Sequence, residues 1–141
     1  MPELPEVETV ARQLHVHVAG RVLRGVALLD PRLGEPPVAR LAGLTVRRVF
    51  RLGKQVAFEL SGTGGLDPAW LLVHLRMTGR LLWRPVPPRR FERRHLRATL
   101  MLGPGGSTRP RAPGGGTVFF YDPRRFGTIA VHRCLEHARP A

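Results

Sequence analysis

Cysteine is nearly missing from this chain: Cys134 stands alone among 141 residues. That excludes an internal disulfide framework and a zinc site built from three or four cysteines. Neither is needed at this length, because a folded chain of about 150 residues buries roughly 68% of the surface its unfolded form exposes. Long apolar runs are also absent. None approaches the roughly 20 residues of a membrane span, and the opening MPELPEVETV lacks the basic-then-apolar pattern of a signal peptide. A cytoplasmic protein without a membrane partner is the expectation. Acidic residues are few, 10 against 23 Lys plus Arg, for a formal net charge of +13. Glu3, Glu6 and Glu8 lie in the first eight residues, so the remainder carries 23 basic against 7 acidic side chains. A field of that size favours polyanions such as nucleic acid or an anionic membrane, and the competing reading is a merely solubilising surface. Scarcest of the charged types is lysine, since Lys54 is the single exception among 22 arginines. In a Gly-, Pro-, Ala- and Arg-rich chain that looks drawn toward GC-rich codons, a retained amine points to a site where a guanidinium will not serve. Chance survival is the alternative.

What is present organises the chain as one mainly β domain over residues 1–141. Val7, Val10, Ala11, Leu14 and Val18 form one stripe at helical spacing, which predicts a helix over 5–18. Pro5 suits its first turn, Glu6 and Glu8 suit the positive end of its dipole, and Gly20 suits its stop. Strands are predicted at 21–30, 44–51, 55–61, 69–75, 80–84, 95–102, 117–121 and 127–133, with a second short helix near Pro37–Leu41. Eight short strands with one N-terminal helix predict two packed antiparallel sheets, a β-sandwich or flattened barrel of the α+β class. Residues 85–94 and 103–116, rich in Pro, Gly and Arg, read as loops.

Some residues can carry chemistry. Removal of the initiator Met exposes the secondary amine of Pro2, and an α-amino group has a pKa of about 7.7–8.0 against about 10.4 for a lysine side chain. A useful fraction is therefore nucleophilic at neutral pH and can form an iminium with an electrophilic sugar carbon. Glu3 stands beside it as a proton donor or electrostatic partner. The bland reading is that Pro2 stiffens the start and Glu3 complements the helix dipole. His15 and His17, two apart on a helix, do not share a face and make no metal pair.

The string MPELPEVETV, RLGKQVAFEL around Lys54, HLRMTGRL from His74 to Leu81, and YDPRRFGT from Tyr121 to Thr128 occur in that order over nearly the whole chain. Together they resemble the N-terminal domain of the formamidopyrimidine-DNA glycosylases, bifunctional base-excision repair enzymes. The resemblance implies a glycosylase and AP lyase acting on oxidised purines in double-stranded damaged DNA, working as a monomer through a Schiff base. By the same resemblance, Pro2 is the nucleophile at C1′ and Glu3 the acid that assists ring opening and base loss. Lys54 contacts phosphate near the lesion and assists β-elimination. Met77, Arg124 and Phe126 resemble the trio that enters the duplex where the damaged base leaves. His95 resembles the first histidine of a His-x-His phosphate-binding pattern, while Arg97 replaces the second; either side chain can donate to phosphate. The family's helix–two-turn–helix module and four-cysteine zinc site find no counterpart in the matched region, so no cofactor is expected in this chain. A basic DNA-binding domain that keeps the fold without catalysis is the alternative.

Overall fold

The computed structural model describes residues 4–62, 67–85, 93–105 and 115–133. Helix α1 spans Leu4–Val18, and Val7, Ala11, Leu14 and Val18 are all buried on its inner stripe. Burial on that scale stabilises by about 1.5–3 kcal/mol for each valine or leucine. Gly20 ends the helix at φ 86°, a left-handed conformation that glycine adopts without a Cβ penalty. Its N–H then donates to the Val46 carbonyl at 2.7 Å, turning the chain onto the sheet.

Eight strands follow among the described residues: β1 (Arg21–Leu28), β2 (Thr45–Leu52), β3 (Gln55–Ser61), β4 (Ala69–His74), β5 (Arg80–Arg84), β6 (Leu96–Gly105), β7 (Gly116–Tyr121) and β8 (Thr128–His132). Their order is β5-β7-β6-β1-β2-β3-β4-β8, every neighbouring pair antiparallel, with β5 and β8 as open edges. Only Val22↔Thr45 joins β1 to β2, so the sheet divides into two four-stranded halves at that point. Leu23, Leu100, Val118 and Phe120 from one half share a single core with Val49, Val56, Phe58, Leu71, Val73 and Ile129 from the other. The two-layer antiparallel architecture expected from the strand pattern is thus present as one open sheet folded over its core. Helix α1 packs on β2, β3 and β5.

Strand bounds differ from the pattern in two informative places. Strand β6 continues to Gly105 because Arg21, at the start of β1, pairs with it; a glycine-rich composition does not prevent pairing when a partner strand runs alongside. Strand β1 stops at Leu28, and Asp30 caps a single 3-10 turn at Pro31–Leu33 by accepting from the Arg32 N–H at 3.0 Å. The short helix near Pro37–Leu41 is a 3-10 turn, Val38–Leu41. Among the described residues no helix is long and apolar enough to cross a membrane.

Candidate nucleic-acid interface

Strand registers bring several turns to one end of the sheet. Gln55 opposes His74 and His74 opposes Thr128, so the β2–β3 turn, the end of β4 and the start of β8 are neighbours. Tyr121 opposes both Arg80 and Leu96, which adds the start of β5, the start of β6 and the end of β7. Helix α1 begins at the same end: Glu8 accepts from Arg51 Nε at 3.1 Å, while Arg51 also donates to the Gly53 carbonyl at 3.0 Å. Four candidate side chains, Lys54, Met77, His95 and Arg124, therefore sit on turns at one end of the molecule, together with Phe126. Pro2 and Glu3 precede α1 and lie outside the described residues, as does Cys134.

A fully buried carboxylate organises two of those turns. Asp122 Oδ1 accepts from Thr78 Oγ1 at 2.5 Å and from the Arg124 N–H at 3.2 Å. Its Oδ2 accepts from the Gly127 N–H at 2.7 Å and from Arg97 Nη1 at 3.4 Å. The segments Leu75–Gly79 and Asp122–Gly127 are consequently pinned to one group. Isolated burial of such a charge costs several kcal/mol, and it persists only because every lone pair is used and a guanidinium faces it.

Arg97 supplies that guanidinium. It is 2% exposed, donates to Asp30 Oδ2 at 2.9 Å and to the Gly127 carbonyl at 2.6 Å, and lies over the Phe120 ring. The second place of the histidine pattern is thus turned into the protein and is no surface phosphate donor. A bulge explains the inversion: Leu96 opposes Tyr121 and Ala98 opposes Phe120, leaving Arg97 as the extra residue, re-aimed inward. Asp30 completes the network by taking two bonds from Arg125, at 2.8 and 2.6 Å. The Arg125 guanidinium holds the Asp30 carboxyl far below the usual carboxylate range against the opposing effect of burial. The same pair raises the already high pKa of Arg125.

With Arg125 occupied, its neighbour Arg124 is left to reach outward, and its Nη1 lies 3.9 Å from the Met77 sulfur. Met77 and Phe126 are 44% and 50% exposed, although both are large apolar side chains. The structure brings Met77 and Arg124 into contact across two interlocked turns and places the exposed Phe126 on the same turn as Arg124. Lys54 is exposed in the β2–β3 turn. Its charge reaches the His74 ring, whose pKa is lowered first by burial, then by Arg76 and by Lys54. His95 is exposed at φ 67°, and its carbonyl accepts from the Asp122 N–H at 2.9 Å.

Sequence reading missed Asp30, Asp122 and the structural role of Arg97, since a bulge and a contact spanning 67 residues leave no local signal. The string DPRRFG does hint at a turn, but not that its first residue is the anchor. His15 and His17 have separate tasks: His15 Nδ1 accepts from the Val49 N–H at 3.1 Å, and His17 stacks on Trp83. Among the described residues no three His, Cys, Asp or Glu side chains meet to hold a metal ion.

Comparison with known proteins places this geometry. Residues 1–129 match the family described as formamidopyrimidine-DNA glycosylase N-terminal domain. The formamidopyrimidine-DNA glycosylase of Cupriavidus pinatubonensis is 41% identical over 133 residues, covering 92% of this chain and 44% of that protein. That of Laribacter hongkongensis is 40% identical over 138 residues, covering 94% of this chain and again 44% of the relative. Among solved structures, the Lactococcus lactis glycosylase with a FAPY-dG containing DNA superposes with a TM-score of 0.75 at 26% identity, over 96% of this chain and 46% of that one. The chain therefore spans less than half the length of each of these three proteins.

Proposed function

Because this chain belongs to the formamidopyrimidine-DNA glycosylase family by its N-terminal domain, we propose that it is the catalytic half of a base-excision enzyme. That enzyme removes oxidised purines, 8-oxoguanine and formamidopyrimidines, from duplex DNA and cuts the strand at the abasic site. The observation that carries the reading is the exposed group of Met77, Arg124 and Phe126 on turns locked to Asp122.

An extruded nucleotide leaves a gap that costs a few kcal/mol of unstacking and unpairing. Apolar wedges and a guanidinium that faces the widowed base offset it. Met77 and Phe126 are the wedges and Arg124 is the donor; neither apolar side chain is needed by the core. Pro2, freed of Met1, attacks C1′ of the flipped nucleotide through its nitrogen lone pair, and the base leaves with the electrons of the glycosidic bond. Glu3 protonates the opening sugar ring. The iminium at C1′ then makes the neighbouring C2′ proton acidic, and its loss expels the 3′ phosphate. Lys54 and His95 hold the backbone phosphates in place by charge and hydrogen bonding.

Borohydride trapping on an abasic-site duplex tests this directly. It should be run on the 141-residue chain and on a fusion supplying the rest of the Cupriavidus relative's length. A covalent complex is expected in at least the fusion, with the adduct mapping to Pro2 and lost in Pro2→Gly more completely than in Lys54→Ala. An adduct on Lys54 overturns the assignment of the nucleophile. DNA binding without trapping in either protein favours a non-catalytic DNA-binding domain.

A further inference from the structure

Among the described residues, three that are not glycine adopt a left-handed backbone: Arg76 at φ 56°, His95 at 67° and Arg125 at 60°. All three stand on the turns that surround Met77, Arg124 and Phe126, and all three bear cationic or imidazole side chains. Such backbone is costly for a residue with a Cβ and persists where the surroundings enforce it, most often at functional sites. Two of the three have an evident reason. Arg125 is clamped bidentately by Asp30, and the His95 carbonyl receives the Asp122 N–H.

Arg76 has no such reason. Its N–H donates to His74 Nδ1 at 3.2 Å, a bond that any residue there can make, glycine included. Its side chain is exposed, and among the described residues its guanidinium has no carboxylate partner. Three carboxylates at this end are already engaged, Asp122 and Asp30 by the buried network and Glu8 by Arg12 and Arg51, and no ion pair among the described residues joins Arg76 to the exposed Glu6. Arg76 immediately precedes Met77, and its charge falls on the same imidazole as that of Lys54. A concentration of uncompensated positive charge is unfavourable in the free protein and becomes favourable only when an anion arrives.

We propose that Arg76 is an additional DNA-contacting residue, a cation held beside the Met77 wedge to grip the phosphate backbone flanking the displaced nucleotide. The proposal rests on the DNA-binding reading above. It explains why an arginine is kept where the backbone would favour glycine: binding of a phosphate compensates for the local strain.

The test uses a property that a merely structural residue does not have, opposite signs for stability and binding. Arg76→Gly relieves the left-handed backbone and removes the charge, whereas Arg76→Ala removes the charge and keeps the strain. Arg76→Lys keeps the charge. Binding of the 141-residue chain to a short duplex carrying a tetrahydrofuran abasic analogue would be measured from about 50 to about 200 mM salt. Arg76→Gly and Arg76→Ala should lose affinity alike, about tenfold at the lowest salt, with the slope of log K against log salt reduced by about one. Arg76→Lys should keep most of the slope. In thermal unfolding Arg76→Gly should be at least as stable as the parent and more stable than Arg76→Ala. Parent-like affinity and slope in Arg76→Gly, or affinity losses that follow stability instead of charge, overturn the proposal alone. Failure of the parent chain and of its fusion to bind DNA at any salt overturns the DNA-binding reading, and the proposal with it.

Discussion

Gly127 shows how closely one residue can be specified. A Cβ at that position would stand 2.7 Å from Phe120 Cζ, 2.8 Å from the His74 carbonyl oxygen and 3.0 Å from Asp122 Oδ2. Two of those neighbours are a buried ring and a buried carboxylate, and the third is backbone, so none can yield cheaply. Since φ is not positive here, the penalty for alanine is steric and not conformational. Gly127→Ala should lower the unfolding free energy by about 1–3 kcal/mol, the usual range for overpacking, as measured by urea denaturation. Unchanged stability would mean that the turn shifts freely and that Asp122 does not anchor it. Asp122 itself tolerates no isostere: all four of its contacts are donors, and an asparagine must present an NH2 group to one pair of them.

At the scale of elements, the two turns act as one unit because Thr78 and the Arg124 N–H share a single carboxylate oxygen. If Met77 and Phe126 act as the proposed wedge, their role is separable from the chemistry. Phe126→Ala and Met77→Ala in the fusion should slow excision of a paired lesion, where a base must be displaced. Cleavage at a preformed abasic site should suffer less, because less stacking is at stake. Single-turnover rates on the two substrates decide the matter, and equal losses on both would return these side chains to a general binding role. Both residues are exposed, so truncation should leave stability within about 0.5 kcal/mol of the parent.

For the whole molecule, the buried network links the charge balance to folding. Asp30 has a folded pKa depressed well below its ordinary value, chiefly by its bond from Arg125. The unfolded chain takes up that proton first as acid is added, so the stabilisation is complete above about pH 4 and is lost as pH falls further. His74 acts in the same direction at higher pH: with its folded pKa lowered, it favours the fold fully above about pH 6.5 and less below. Urea midpoints followed from pH 7 down to pH 2 should therefore fall throughout, steepening below pH 4. Asp30→Asn should start lower at pH 7 and show a shallower acid limb. An acid limb as steep as the parent's would remove Asp30 from the network's energetics.

The local elements are legible in the amino-acid sequence because their signals are local. The apolar stripe of α1 shows as Val7, Ala11, Leu14 and Val18 at helical spacing, and strands β2 to β5 are bounded by Gly, Pro and alternating apolar residues within one or two positions. The blocks around Lys54, Met77 and Arg124 also announce the candidate site, since each is a turn sequence joined to a strand. What chain order does not show is which groups meet. Arg97 has the spacing of a surface donor, yet a single bulge turns it inward; Asp30 has the place of a strand end, yet it caps a turn and holds Arg125. Tertiary structure alone decides that of two adjacent, exposed arginines one is clamped to the Asp30 carboxylate and the other is not. The reason is that the deciding partner, Asp30, lies 95 residues away in sequence, and only the folded sheet brings the two within hydrogen-bond reach.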